Sequence, residues 1–319
     1  VIEKNHTFGR ETSSHNSEVI HAGFYYPSNT LKAKFCVEGN RLLYEICEKY
    51  HVNYKRLTKI IVAADAAETR ELEKMYQLGV ENGIAGLRLI SRADIKTLEP
   101  NVEAVAGLFS PSTGIIDSWG LMKSYRDRAC DKGVSLVFNS AVVGIEKVSG
   151  GYKVSIKDTD GITDVTTKVV INCAGLFCDK VAALAGIDIN ASRYKISYCR
   201  GSYFSLTPKG GRLVNRLVYP VPEQAGKGIH ITLNLDGQMK LGPNVKYMDT
   251  IDYSVDENDK MKFYEAAHRY LPQIELDDLS PDFSGVRPKL QGPGENFRDF
   301  VIRDEADKGI PGLINLIGI

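Results

Sequence analysis

The chain has 319 residues, 43% of them hydrophobic and 25% charged, which is enough for one large or two ordinary domains with their own cores. Its 40 Lys and Arg residues balance 40 Asp and Glu residues, so the formal net charge is zero and argues against nucleic acid as the main partner. No apolar run approaches the roughly 18 residues that a membrane-spanning helix needs.

The two ends of the chain are apolar, whereas natural termini are usually polar. Val1 and Ile2 open it like the end of a strand, and residues 313–319 close it with an apolar run. We therefore expect a fragment of a longer protein, and a natural chain with apolar ends is the alternative. If the chain is a fragment, it carries no information about a targeting segment.

Apolar residues at helical spacing predict six helical segments. They cover residues 39–51, 67–80, 94–98, 117–130, 179–185 and 257–270. Asp117 is a candidate N-cap, while Pro100 and Pro272 mark helix ends.

Short runs of alternating or β-branched residues predict strands between these helices. They cover residues 57–63, 134–138, 141–148, 152–158 and 165–171, followed by an almost continuous strand region over residues 194–241. An Asp-Thr-Asp-Gly turn at residues 158–161 predicts a hairpin. The pattern indicates an antiparallel sheet set in an α/β frame, with two domains that exchange segments.

One strand breaks into small residues before a helix. Residues 169–175 read Val-Val-Ile-Asn-Cys-Ala-Gly, so Ala174 and Gly175 allow a ligand to approach the backbone closely. A plain tight turn is the alternative. Glu3 ends the opening strand, where dinucleotide-binding folds place an acid that accepts hydrogen bonds from ribose. The Gly-x-Gly-x-x-Gly turn expected about twenty residues earlier is absent from the sequence.

The assembled motifs resemble those of the FAD-dependent oxidoreductases of the D-amino-acid oxidase superfamily, and most of all its L-2-hydroxyglutarate dehydrogenase/oxidase group. The most specific resemblance is the Asn-Ser-Glu-Val-Ile-His-Ala-Gly-Phe-Tyr-Tyr block at residues 16–26, followed by Leu-Lys-Ala at residues 31–33. Further similar motifs occupy residues 111–117, 172–175, 200–203, 218–222, 242–244, 285–288 and 315–319. The resemblance covers essentially the whole chain.

This resemblance implies a mixed α/β fold in two domains. An FAD-binding Rossmann-like domain, without its first strand and glycine turn, is expected over residues 1–53, 114–190 and 284–319. A substrate or cap domain with an antiparallel sheet is expected over residues 54–113 and 191–283. The sequence departs from the family pattern at Glu18, which stands where the motif usually has Gly, and in a shorter stretch after residues 242–244.

The resemblance also implies oxidation of an L-2-hydroxy acid, with L-2-hydroxyglutarate giving 2-oxoglutarate, by hydride transfer to flavin N5. Arg287 and Arg200 are candidate carboxylate ligands because a guanidinium group can form two parallel charge-assisted hydrogen bonds. Protein ion pairs are the alternative for both. His21 and His230 are the candidate bases, since imidazole titrates near neutral pH. A satisfied core histidine is the alternative for His230.

The remaining candidates line the substrate or the cofactor. Tyr203 and Tyr219 are expected to hydrogen bond the substrate or to form a wall beside it. The cofactor-binding candidates are Glu3, Lys4, Ser14, Asn16, Ser17, Val143, Ala174, Gly175 and Gly318.

Other function classes have weaker support. A Ser14, His21 and Asp117 hydrolase triad lacks the Gly-x-Ser-x-Gly turn. The spacing of the early histidines (His6 and His15 besides His21) suits no metal site, and the six cysteines, without a Cys-x-x-Cys pair, predict reduced thiols. The remaining alternatives are an FAD-dependent amine or amino-acid oxidase of the same superfamily and a flavin-free remnant.

The expected partners are a small carboxylic acid and an electron acceptor, either oxygen or a quinone. We expect a cytoplasmic location if the protein is bacterial, with peripheral membrane contact an open alternative.

Overall fold

The computed structural model describes residues 1–222 and 228–319, where the helices follow the amphipathic segments of the sequence. They are α1 (Leu31–Tyr50), α2 (Ala66–Glu81), α3 (Arg92–Leu98), α4 (Ser118–Asp131), α5 (Cys178–Leu184) and α6 (Lys260–His268). The first four begin at residues whose side-chain oxygens accept backbone N–H groups of the first turn, namely Thr30, Asp65, Ser91 and Asp117. The predicted cap at Asp117 is thus confirmed.

Helix α1 begins well before the predicted residue 39. Its first two N–H groups, from Leu31 and Lys32, donate to the Asp299 carboxylate at 2.5 and 3.0 Å. Thr30 Oγ1 accepts from Ala33 N at 3.2 Å. Because Asp299 is distant in sequence, local periodicity could not reveal this part of the helix.

The strands lie between these helices and after them. Those before α5 are β1 (Val19–Ile20), β2 (Tyr54–Lys55), β3 (Lys59–Ala63), β4 (Arg88–Ser91), β5 (Ala106–Ser110), β6 (Gly114–Ile116), β7 (Ala141–Val148), β8 (Gly151–Lys157), β9 (Ile162–Thr167) and β10 (Val170–Asn172). Those after α5 are β11 (Ser197–Leu206), β12 (Leu217–Pro220), β13 (His230–Leu233), β14 (Met239–Gly242), β15 (Lys246–Met248), β16 (Leu279–Lys289), β17 (Val301–Glu305) and β18 (Ile310–Ile317).

Nine of these strands form one large sheet, in the order β15-β11-β14-β13-β12-β3-β5-β4, with β16 paired to β11. Its pairs are antiparallel apart from β12 and β3, which run parallel. The predicted antiparallel sheet is confirmed. Its apolar face packs on α2 and α6, where Leu72 and Phe263 are fully buried.

The mixed α/β character is confirmed by a second group of elements. Strand β18 pairs in parallel with β10 and antiparallel with β17, while β7, β8 and β9 form an antiparallel meander. A separate core joins these sheets to α5 through Ile145, Cys178 and Leu313. The Asp-Thr-Asp-Gly hairpin turn joins β8 to β9, as predicted.

Two strand predictions are wrong. The run over residues 165–171 is divided between β9 and β10, which belong to different sheets. Residues 134–138 contribute a single parallel bridge, from Val137 to Ile2. The two-domain division stays a prediction, and its boundary before residue 284 falls inside the continuous strand β16.

Candidate active site

Strands β16 and β11 build one wall of the candidate site. They pair antiparallel, with Arg287 opposite Cys199 and Lys289 opposite Ser197. Because side chains alternate along a strand, Arg287 and Lys289 lie on the same face of the sheet. Strand β15, also paired to β11, places Tyr247 opposite Cys199 and therefore on this face as well.

Three tyrosines lie within electrostatic reach of the Arg287 guanidinium. Burial raises the pKa of Tyr26 to about 12, and it also raises the pKa of Tyr203 and Tyr247, while the positive charge of Arg287 opposes the rise in each. Tyr203 also stacks on Phe283, with 4.5 Å between the ring centroids. All three phenols therefore remain protonated at neutral pH and can donate hydrogen bonds.

Arg287 has polar capacity that the protein leaves unused. Its Nη2 atom is buried without a hydrogen-bond partner in the part of the chain that the structure describes. A buried polar group without a partner is costly, so this pattern indicates room for a ligand. Arg287 is the sequence-predicted site residue whose surroundings best suit an anion.

A second aromatic group lies on β12 and β13, which β14 separates from Tyr203 on β11. The rings of Tyr219 and His230 stack with 3.6 Å between centroids, and Lys59 Nζ lies 3.9 Å from the Tyr219 centroid. Burial raises the pKa of Tyr219 well above its usual value, with Tyr25 and Tyr203 adding to the rise. The arrangement brings the predicted residues Tyr203, Tyr219 and His230 into one cluster.

The tautomer of His230 follows from its hydrogen bond. Nδ1 lies 2.8 Å from the Gly228 carbonyl oxygen, which can only accept, so Nδ1 carries the proton. In the neutral ring, Nε2 then has no proton. His21 lies immediately after β1, half-buried, and its carbonyl accepts from Asn40 Nδ2 at 3.0 Å.

Arg200 differs from Arg287 in its partners. It lies one residue along β11 from Cys199 and so faces the other side of the sheet. Its guanidinium forms an ion pair with Asp252, and Nη1 donates to Ser254 Oγ at 2.9 Å. The structure therefore gives Arg200 a protein carboxylate and does not bring it to the Arg287 face.

The segment with the predicted cofactor residues Glu3 and Lys4 contacts the turn at Phe177. Glu3 N–H donates to Val137 O at 2.8 Å, and the Glu3 carboxylate accepts from Asn5 N and Nδ2 at 2.8 and 2.9 Å. Lys4 Nζ lies 3.5 Å from the Phe177 ring centroid, so the segment after the opening strand contacts the turn after Gly175.

The loop that carries Ser14, Asn16 and Ser17 packs against β16. Asn16 Nδ2 donates to the Ser13 carbonyl at 2.8 Å, and Ser17 lies close enough to Tyr203 to oppose the rise in the pKa of that phenol. A Cβ atom at Gly285 would overlap the carbonyl oxygen of the loop residue His15, so glycine is required for this close approach.

Ala174, Gly175 and Gly318 belong to two neighbouring turns. Asn172 accepts from Ala174 N at 3.2 Å and donates to Asn315 Oδ1 at 2.8 Å, which ties the turn after β10 to strand β18. Gly175 has a φ of 52°, and no atom lies within 4 Å of the position that its Cβ would take. Its backbone is therefore open to a ligand.

Val143 lies apart from these turns, in β7. The register of β7 against β8 skips it, between Val142 and Gly144, and the residue is 38% exposed. A skipped residue keeps main-chain groups outside the regular ladder, as expected of a position that binds through its backbone.

Together these segments fit a dinucleotide cofactor such as FAD. They offer a carboxylate for ribose, serine hydroxyls and an open glycine turn for phosphate, and Arg287 Nη2 lies without a partner among the described residues on the face of β16 that the loop packs against. No group of three His, Cys, Asp or Glu residues suited to a metal occurs within residues 1–222 and 228–319.

Glu18 is a local departure that the structure explains. Its φ of 56° lies in the left-handed region, where glycine is favoured. The Glu18 carboxylate accepts from Ser118 N at 3.2 Å and from Ser118 Oγ at 2.8 Å, at the start of α4. The side chain thus adds a contact to the first turn of α4 that glycine could not make.

The sequence profile of the family described as DAO, FAD dependent oxidoreductase, matches residues 1–319. The chain belongs to this family. FAD is therefore its cofactor, and the expected enzyme class is confirmed. Among the described residues, no helix of this FAD-dependent oxidoreductase is long and apolar enough to cross a membrane.

Similar proteins support the assignment. The oxidoreductase is 35% identical to the mitochondrial L-2-hydroxyglutarate dehydrogenase of Arabidopsis thaliana, covering all of this chain and 74% of the relative. It is 33% identical to the Homo sapiens protein of the same name, and the match covers 99% of this chain and 77% of the human protein. The structure of the L-α-glycerophosphate oxidase of Mycoplasma pneumoniae with FAD bound superposes on this chain with a TM-score of 0.86 at 26% identity. The superposition covers 99% of this chain and 82% of the Mycoplasma protein.

Sequence reasoning missed three residues beside Arg287, namely Tyr26, Tyr247 and Lys289. The spacing of Arg287 and Lys289, two residues apart in a strand, was a usable signal because it predicts a shared face. Tyr247 had no such signal, since it reaches the site only through the pairing of β15 with β11.

Proposed function

We propose that this FAD-dependent oxidoreductase oxidises L-2-hydroxyglutarate to 2-oxoglutarate. The observation that carries the proposal is the buried Arg287 Nη2, which has no partner in the described residues and whose positive charge acts on three nearby tyrosines. Such a guanidinium can bind a carboxylate through two parallel charge-assisted hydrogen bonds. The names of the 35% and 33% identical relatives support this substrate.

Bound FAD supplies an acceptor for the two electrons that leave C2 of the substrate. In this proposal Arg287 holds the C1 carboxylate through two parallel hydrogen bonds and so fixes the orientation of C2. The hydroxyl groups of Tyr203 and Tyr26 donate to the substrate, and Tyr219 forms the wall behind it. Arg200 keeps its partner Asp252 and stabilises the sheet.

A histidine accepts the proton of the substrate hydroxyl. His230 is suited by its tautomer, because Nδ1 donates to the Gly228 carbonyl and Nε2 can take a proton. His21 is suited by its place in the family motif next to the loop of Ser17. Both remain candidates for the base.

The cofactor-binding residues are proposed from their positions. Glu3 would bind the ribose, and Lys4 keeps the segment after it against Phe177. The Ser14, Asn16 and Ser17 loop and the Ala174–Gly175 turn would face the pyrophosphate and the flavin. Val143 would bind the adenine through its main chain, and Gly318 would approach the flavin.

The test is a substrate panel with product identification. Purified holoenzyme is supplied with L-2-hydroxyglutarate, L-glycerol 3-phosphate and glycine, and 2-oxoglutarate, dihydroxyacetone phosphate and ammonia are assayed. We expect 2-oxoglutarate as the main product, with the highest kcat/KM for L-2-hydroxyglutarate. Release of ammonia from glycine would favour the amine oxidase alternative, and preferred oxidation of glycerol 3-phosphate would also overturn the proposal.

The electron acceptor and the location belong to the proposal as well. We propose oxygen or a quinone as the electron acceptor and, if the protein is bacterial, a cytoplasmic location, with peripheral membrane contact as the alternative. Oxygen consumption compared with reduction of a soluble quinone analogue distinguishes the two acceptors. Cosedimentation with quinone-containing vesicles tests the contact.

A further inference from the structure

A second cation lies beside Arg287 on the same sheet face. Lys289 follows it by two residues in β16, a rise of about 6.6 Å along an extended strand. Its Nζ atom lies 3.5 Å from the Tyr247 hydroxyl, which itself donates to the Gln291 carbonyl at 3.2 Å. Because its proton is directed to Gln291, the Tyr247 hydroxyl oxygen accepts a hydrogen bond from Lys289 Nζ and orients the Lys289 side chain.

Neither cation has a carboxylate partner in the described part of the chain, although other half-buried cations do. Lys240 pairs with Asp282 at 3.1 Å, and Arg216 pairs with the buried Glu99 at 3.3 Å. Burial lowers the pKa of Lys289, and Arg287 lowers it further, while Cys199 opposes the change. Two neighbouring positive charges on a half-buried face are destabilising without an anion.

Two acids lie nearby, and neither forms an ion pair with Arg287 or Lys289 in the described residues. Glu295, whose charge raises the pKa of Tyr247, accepts from Gly292 N at 2.8 Å through Oε2. Asp299 lies close to Lys32, the next cation towards α1, but its two carboxylate oxygens accept the first N–H groups of that helix. Lys32 Nζ donates to the Arg298 carbonyl at 2.7 Å, so Lys32 keeps its own protein partner. The unfilled anion capacity is thus at Arg287 and Lys289.

We propose that Lys289 binds the distal carboxylate of the dicarboxylic substrate while Arg287 binds the carboxylate next to C2. Their separation lets each cation hold a different carboxylate of one short chain. This inference rests on the proposed function and deepens it, because it makes Lys289 the residue that selects dicarboxylic over monocarboxylic 2-hydroxy acids. Tyr247 is its positioning residue.

The test compares L-2-hydroxyglutarate with L-2-hydroxybutyrate, which lacks the distal carboxylate. Lys289→Met keeps the aliphatic stem and removes the charge. We expect KM for L-2-hydroxyglutarate to rise roughly 10- to 100-fold, as for loss of a charged hydrogen bond, and KM for L-2-hydroxybutyrate to stay within about threefold. Lys289→Arg should retain most of the preference.

Two controls keep the result specific. Lys246 is an exposed cation of strand β15, next to Tyr247 in sequence but on the other face of the sheet. Lys246→Met should therefore change KM for neither L-2-hydroxyglutarate nor L-2-hydroxybutyrate. Glutarate is a dicarboxylate without the hydroxyl group, so its binding can be measured without turnover through the change in the visible flavin spectrum. The Kd of the holoenzyme for glutarate should rise in Lys289→Met by a similar factor.

The outcomes separate this inference from the proposed function. If the wild-type enzyme oxidises L-2-hydroxyglutarate but Lys289→Met changes KM for both acids equally, or for neither, the role of Lys289 is wrong and the proposed function stands. If the wild-type enzyme does not oxidise L-2-hydroxyglutarate, both are overturned.

Discussion

Arg287 and Arg200 are both predicted from the sequence as carboxylate ligands, but they have different surroundings in the structure. Substituting each one should therefore show whether it binds substrate or stabilises the fold. Arg287→Ala should raise KM for L-2-hydroxyglutarate roughly 10- to 100-fold and lower kcat less, because the lost contact already holds the substrate in its ground state.

Arg200→Ala should leave KM within about threefold but lower the free energy of unfolding by about 1–3 kcal/mol, since the buried Arg200 side chain packs in the sheet. Steady-state kinetics and denaturant unfolding measure both. An unchanged KM for Arg287→Ala would contradict its role.

The base is decided by comparing two histidine variants. His21→Ala or His230→Ala should slow flavin reduction by about 10²–10⁴ if the replaced ring accepts the hydroxyl proton. Anaerobic stopped-flow reduction by L-2-hydroxyglutarate measures the rate directly. A histidine whose loss slows reduction by less than about threefold is not the base. Small losses in both variants would require a different proton acceptor.

At the scale of elements, Glu18 connects the loop of the family motif to the start of α4. Glu18→Ala removes the carboxylate that accepts from Ser118 while keeping the unfavourable positive φ. Glu18→Gly loses the same contact but relieves the backbone strain. We expect the Gly variant to be more stable than the Ala variant by about 1 kcal/mol in denaturant unfolding. The reverse order would show that the strain is absent.

A buried carboxylate joins β17, β18 and the segment before β11. Glu305 accepts from Tyr194 at 2.7 Å and from Asn315 at 2.9 Å, and it pairs with Lys308. Burial alone would raise the pKa of Glu305, but these hydrogen bonds lower it below its usual 4.5. Because the folded value is the lower one, the carboxylate stabilises the fold above pH 4.5, and this contribution is lost as the pH falls through the folded value.

Glu305→Gln tests this contribution. The free energy of unfolding should fall in the variant at about pH 7, and the gap to the wild type should narrow as the pH is lowered towards about 3. Urea unfolding at a series of pH values, followed by circular dichroism, measures the gap. A gap that does not change with pH would contradict a role for the charge.

Local signals predicted most of the helices and few of the strand partners. Helices α2 and α4 were predicted to within about one residue at each end, because caps and periodicity are local. The run that contains Val169 has continuous strand propensity, yet the chain there leaves one sheet for another. Sheet membership depends on distant partners, so propensity could not reveal it.

For the whole molecule, the family motifs predicted the cofactor and the reaction class, and their order along the chain carried that prediction. The arrangement of the site was harder to predict. Arg200 and Arg287 are equivalent as sequence signals, but the register of β11 with β16 places them on opposite faces. The same register brings Lys289 and Tyr247 to Arg287. Which charges share a site is thus a property of strand pairing.

The most direct test of the central claim is an anaerobic titration of the purified holoenzyme with L-2-hydroxyglutarate. If the buried Arg287 face orients this acid beside FAD, one equivalent of substrate should bleach the visible flavin absorbance and leave one equivalent of 2-oxoglutarate. A fully loaded flavoprotein whose absorbance stays unchanged with excess L-2-hydroxyglutarate would contradict the account.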